Sequence, residues 1–128
     1  YMAVAGVPNP VDDHALRGAR MALAVQKALV VFNKNNGVDW SVRMGIHSGP
    51  LMAGIIGSRK FAYDLWGDTV NLASRLESQG EAGRIQISEE TAKLVEPEFS
   101  VSPIGVVDIR NRGEIPVFRI DGAKLGTR

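Results

Sequence analysis

The 128-residue chain contains no cysteine. That excludes a disulfide framework and thiolate chemistry, and it is compatible with a reducing compartment. No run reaches the ~18 consecutive apolar residues that a membrane span needs. The most apolar region, residues 21–32, is broken by Gln26 and Lys27. Tyr1 to Gly6 is short and apolar without a basic leader, so no secretory signal is expected. A surplus of charge is missing too. Fifteen basic and fourteen acidic residues leave a net charge of +1, so no global field argues for nucleic acid or an anionic membrane. The two histidines, His14 and His47, have no ligand cluster around them and make a poor metal site. Gly54 and Gly57, in GIIG, lack the Lys or third glycine of a phosphate-binding loop or dinucleotide fingerprint.

What is present is the composition of a soluble globular protein, 45% apolar and 23% charged, at a length that fits one domain. Tyr1 to Val7 reads as a buried strand closed by the turn Pro8-Asn9-Pro10. Asp12 or Asp13 caps a helix that runs to about Asn33, with Ala15, Ala19, Ala22, Leu23, Leu29 and Phe32 on a broad apolar face. Trp40 to His47 alternates as a strand does. Leu51 to Ile56 reads as its hairpin partner. Asp68 caps a second helix over Thr69 to Ser78. Arg84 to Ile87 is a short strand. Ser88 caps a short helix that ends near Val95, before Pro97. Val101 to Ile109 is extended, Arg110 to Glu114 turns, and Val117 to Ile120 is a last strand. The tail from Gly122 reads as loose. Hairpins alternating with helices predict an α+β fold, a mainly antiparallel sheet with helices on one face.

The most informative stretch is Phe61 to Glu77. Asn71 and Arg75 stand four apart on one helix and so share a face. Asp64 lies on the strand or loop that feeds that helix. A carboxylate, an amide and a guanidinium suit a heterocycle, a sugar and a phosphate. The carboxylate accepts hydrogen bonds and donates none, so it favours the amino group of adenine over the carbonyl of guanine. Arg suits a phosphoryl group because its planar fork matches pairs of oxygens. Each residue also has a plain reading, as a turn aspartate or a solvated helix residue. His47 and Ser48 are adjacent on a strand and point to opposite faces, which argues against a nucleophile–base pair. Arg110-Asn111-Arg112-Gly113 is a basic turn that gains meaning only near Arg75.

These segments resemble the class III nucleotidyl cyclases, the catalytic domains of adenylyl and guanylyl cyclases. Arg43-Met44-Gly45-Ile46-His47-Ser48-Gly49 looks like the family's R-x-G-I-H-x-G strand and turn. Residues 63–75, YDLWGDTVNLASR, look like its central signature, and residues 83–88, GRIQIS, are similar to the segment that follows. The resemblance covers Tyr1 to about Asp121 and implies the ferredoxin-like cyclase fold. By position, Asp64 matches the adenine-recognising residue, Asn71 the residue that orients the ribose, and Arg75 the arginine that stabilises the transition state. Arg110 falls where the family usually has a lysine on the terminal phosphates, and Arg112 is the alternative.

The resemblance further implies ATP as substrate, two Mg2+ or Mn2+ ions and a second cyclase domain, in a homodimer with sites at the interface. It places the two metal-holding aspartates and the adenine-contacting lysine upstream of Tyr1. An N-terminally incomplete domain over residues 1–121 is therefore expected, with 122–128 as tail. Alone, it is expected not to turn over. A cytoplasmic location follows only from ATP as substrate, and a membrane enters only through regions outside this sequence. Guanylate cyclase, a non-catalytic cyclase-like binding domain, and a small α+β interaction domain remain the alternatives.

Overall fold

The computed structural model describes residues 1–7, 9–50, 52–55, 63–66, 68–109 and 112–124. Helix α1 spans His14–Asn36. It stops at Gly37, which takes the left-handed conformation (φ 63°) and returns its N–H to the Asn33 carbonyl. A Cβ is disfavoured there, so glycine ends the helix cleanly. Asp13 occupies the cap position but makes no side-chain cap bond. Its carboxylate instead accepts from Arg17 Nε at 2.8 Å, and it lies 3.7 Å from Arg20.

Strand β1 is Met44–Ile46, shorter than the alternation of residues 40–47 suggests. The reason lies in Trp40. Its backbone N–H donates to Asn33 Oδ1 (3.1 Å) and its carbonyl accepts from Asn33 Nδ2 (2.8 Å), so both groups are used before a ladder starts. Its ring also packs on Phe32 at 5.0 Å between centroids.

Strands β2 (Met52–Ile55) and β3 (Tyr63–Trp66) form their own antiparallel pair. The hairpin expected between β1 and β2 is therefore replaced by one between β2 and β3. Helix α2 (Asp68–Ser78) follows, then β4 (Ile85–Ser88), α3 (Glu89–Val95), β5 (Phe99–Ile109) and β6 (Gly113–Ala123). Ser88 caps α3 as expected, accepting from the Thr91 N–H. Four strands form the main sheet in the order β1-β4-β6-β5. β1 and β4 are parallel, and the other pairs are antiparallel.

The α+β class and the mainly antiparallel sheet are as expected, but the helices occupy both faces. Side chains alternate across a strand. Met44, Ile46, Ile85 and Ile87 face a core made with Ala15, Ala19 and Ala22 of α1 and Ala92 and Val95 of α3. Gly45 and Gln86, between them, face α2. There Leu72 and Leu76 pack with Ile109 and Val117 in a second core.

Two more expectations are corrected. Residues 1–7 form no strand, and Tyr1, Met2 and Val4 are exposed. An apolar run becomes a strand only beside a partner, and β1 pairs with β4 alone among the described strands. At the other end, Gly122 and Ala123 pair with Ser100 and Phe99, so β6 reaches into the segment expected to be loose.

Candidate functional site

Helix α2 is amphipathic for a simple reason. Val70, Leu72, Ala73 and Leu76 recur at helical spacing, and Leu72 and Leu76 are buried at 2% and 0% exposure. Asn71 and Arg75, each one residue earlier than its buried neighbour, fall on the exposed side one turn apart. No partner among the described residues holds either side chain by a hydrogen bond or ion pair. β3 runs almost directly into α2, which places Asp64 four residues ahead of the helix. Its backbone pairs with Gly54, and its side chain lies outside the described residues.

The start of α2 is tied to the loop after β1, where the Thr69 hydroxyl donates to the Pro50 carbonyl. The same end of the sheet carries the C-terminal ends of β1 and β4. His47 Nδ1 lies 2.7 Å from Ser88 Oγ, and Ser48 Oγ lies 2.9 Å from Thr91 Oγ1. His47 and Ser48 lie past the end of β1 and do not diverge as expected: their partners Ser88 and Thr91 are bonded to each other at 3.2 Å, so both side chains join one network at the start of α3. Burial lowers the His47 imidazole below the usual histidine range; Glu90 opposes this and Arg112 adds to it. His47 is therefore a neutral hydrogen-bonding group at pH 7.

The β5–β6 turn arrives at this end too. Arg112 N–H donates to the Ile109 carbonyl at 2.9 Å, and Ile109 is buried against Leu72 and Leu76. Arg112 itself is exposed and within electrostatic reach of His47. Arg110 lies outside the described residues. The structure thus gathers Asn71, Arg75 and the Arg112 turn around one core, with Asp64 adjoining by chain continuity.

Among the described residues, no group of three His, Asp or Glu side chains is placed to hold a metal ion. Asp13 is engaged by Arg17 and Arg20. The described donors therefore do not fit a resident metal pair. No described helix is long and apolar enough to cross a membrane. Sequence reasoning missed the seat under α2, formed by Gly45, Gly49 and Gln86. A glycine inside a strand pattern is a known sign of close backbone approach, and Gly45 carries that sign.

The family model described as the adenylate and guanylate cyclase catalytic domain matches residues 1–122. The chain is 35% identical over 125 residues to an adenylate cyclase of Mycobacterium tuberculosis, covering 98% of this chain and 28% of that protein. It is 37% identical over 120 residues to the guanylate cyclase soluble subunit beta-2 of Rattus norvegicus, covering 92% of this chain and 18% of that one. Its fold matches the guanylate cyclase domain of RhGC from Catenaria anguillulae, crystallised with GTP, at a TM-score of 0.85 and 33% identity. That match covers 94% of this chain and 66% of the other. The chain thus spans under a third of these two sequence relatives and about two thirds of the crystallised domain.

Proposed function

This chain belongs to the adenylate and guanylate cyclase catalytic domain family, and from that premise we propose that it serves an adenylate cyclase. It would contribute the base-reading, ribose-orienting and phosphate-holding side of the site. The observation that carries this reading is the exposed pair Asn71 and Arg75 on α2, whose buried neighbours Leu72 and Leu76 share a core with Ile109 at the base of the Arg112 turn.

In the proposed reaction the ribose 3′ oxygen attacks the α-phosphorus of ATP. A new O–P bond forms and the 3′ hydroxyl proton passes to solvent water. The bond to the bridging oxygen of the β-phosphate breaks, and pyrophosphate leaves with the electron pair. Charge grows on the α-phosphoryl oxygens and on the leaving group, so fixed donors aimed there lower the barrier. Arg75 suits the α-phosphoryl oxygens, because its two-pronged fork gives bidentate charged hydrogen bonds. Asn71, one turn nearer the helix start, offers both a donor and an acceptor to the ribose. Asp64 accepts from the adenine amino group and repels the guanine carbonyl oxygen. Arg112 and Arg110 suit the outer phosphates.

A second cyclase domain, as in a homodimer, would face this side and complete the site. The two Mg2+ or Mn2+ ions expected of the family do not fit the described residues, so no step here runs through them. The family includes guanylate cyclases, and Asp64 is the residue that favours ATP over GTP in this chain.

Calorimetric titration with non-hydrolysable ATP and GTP analogues tests the reading. The ATP analogue should bind more tightly, and Asp64→Ala should remove the difference. Arg75→Ala should weaken both analogues by about tenfold or more, the scale of a lost charged hydrogen bond. Tighter binding of the GTP analogue would assign the chain to guanylate chemistry. Unchanged binding by both variants would remove the site.

A further inference from the structure

We propose that Gly45 is a positioning residue: by lacking a side chain it lets α2 rest on the backbone of β1, and that contact sets where Asn71 and Arg75 stand. This inference rests on the reading of α2 as the nucleotide-holding helix.

The geometry is direct. A Cβ at Gly45 would stand 2.4 Å from the Glu77 backbone nitrogen, 2.6 Å from the Ala73 carbonyl oxygen and 2.9 Å from the Leu76 carbonyl carbon. All three atoms belong to the α2 backbone, so no rotamer change relieves the clash. Ordinary contact begins near 3.4 Å, so the helix would have to lift by about 1 Å. Arg75 lies between Ala73 and Glu77 and would be carried with it.

The rest of the seat agrees. Gln86, buried on β4 beside β1, donates from Nε2 to the Leu76 carbonyl at 3.2 Å. This supplies a partner to one of the last carbonyls of the helix. At the other end, a Cβ on Gly49 would meet Thr69 Oγ1 at 2.9 Å. Thr69 is held there by its bond to Pro50. The helix is thus fixed near its start by Gly49 and Thr69 and near its end by Gly45 and Gln86. Asn71 falls between the two supports, and Arg75 lies within the second. A misplacement of about 1 Å is enough to lose around a hundredfold in a reaction that depends on orientation.

Gly45→Ala, Gly49→Ala and the distant core variant Val95→Ala separate position from general stability. For each, a crystal structure reports the place of α2, and calorimetry below the melting temperature reports affinity for a non-hydrolysable ATP analogue. Gly45→Ala should lift α2 from β1 by about 1 Å and weaken binding by about tenfold or more, on the scale of a lost charged contact. Gly49→Ala presses on a side chain rather than on backbone, and it should shift the helix start with a smaller loss. It also carries the test if Gly45→Ala does not fold. Val95→Ala should melt earlier yet bind as wild type. An unmoved helix, undiminished binding with a moved helix, or an equal loss in Val95→Ala would overturn the inference. If wild type itself binds no analogue, the functional reading falls and takes the positioning role with it. Wild-type binding that survives Gly45→Ala sinks the inference alone.

Discussion

Arg75 and His47 show how differently two polar residues of one site can be placed. Arg75 is exposed, and no described residue holds it, so its guanidinium is presented outward. Lysine keeps the charge but not the fork. Arg75→Lys should therefore recover only part of the ATP-analogue affinity lost in Arg75→Ala, as calorimetry would show; full recovery would mean that charge alone matters. His47 is half-buried and bonded to Ser88. Burial lowers its folded pKa below the ordinary value of 6.5, against Glu90 and together with Arg112. The unfolded chain then binds the proton more readily than the folded one. The stability linked to His47 is complete above pH ~6.5 and is lost as pH falls through the depressed folded value. Urea midpoints of wild type should drop between pH 7.5 and 5.5 by more than those of His47→Gln. Equal slopes would show that His47 does not couple folding to protons.

Each helix meets the sheet through a different device. α1 offers small residues: Ala15, Ala19 and Ala22 are buried, Ala19 completely. A larger side chain at that contact has nowhere to go. Ala19→Leu should destabilise by about 1–3 kcal/mol through overpacking. A lowered urea midpoint with an unchanged slope would confirm it, and a raised midpoint would reveal a cavity beneath α1. α3 begins on Ser88, whose hydroxyl serves the Thr91 N–H and His47 together. Ser88→Ala should cost about 1–2 kcal/mol, toward the upper end for a cap because it also strips His47 of its partner. Thermal denaturation measures this directly. Elements governed by local pattern were legible in the sequence: α2, α3 with its serine cap, and β4 stand within a residue or so of their expected bounds. α1 overran its expected end by three residues, because the left-handed glycine that stops it is Gly37. Elements governed by partners were not legible. The apolar alternation at Trp40 looked like a strand, yet Asn33 takes up its backbone groups. Residues 1–7 looked like a strand and have no described partner.

At the scale of the molecule, the sheet order and the two-sided helix layout were hidden in the sequence because both are non-local. β1 pairs with β4 across forty residues of chain, and nothing in either segment names the other. The candidate residues were visible nonetheless. Asn71 and Arg75 share a helix face by spacing alone, and the structure adds that this face is exposed while the opposite one shares a core with Ile109, where the β5–β6 turn begins. The seat beneath was visible only as a glycine in a strand, whose meaning waited on the helix above it. The central claim is that a nucleotide is held on that exposed face of α2. Amide and side-chain NMR of the labelled chain, titrated with a non-hydrolysable ATP analogue, tests it most directly. Shifts concentrated at Asp64, Asn71, Arg75 and Arg112 are the predicted result. Shifts confined to the groove of Gln26, Arg84 and Arg119 on another part of the surface, with α2 silent, would contradict the account.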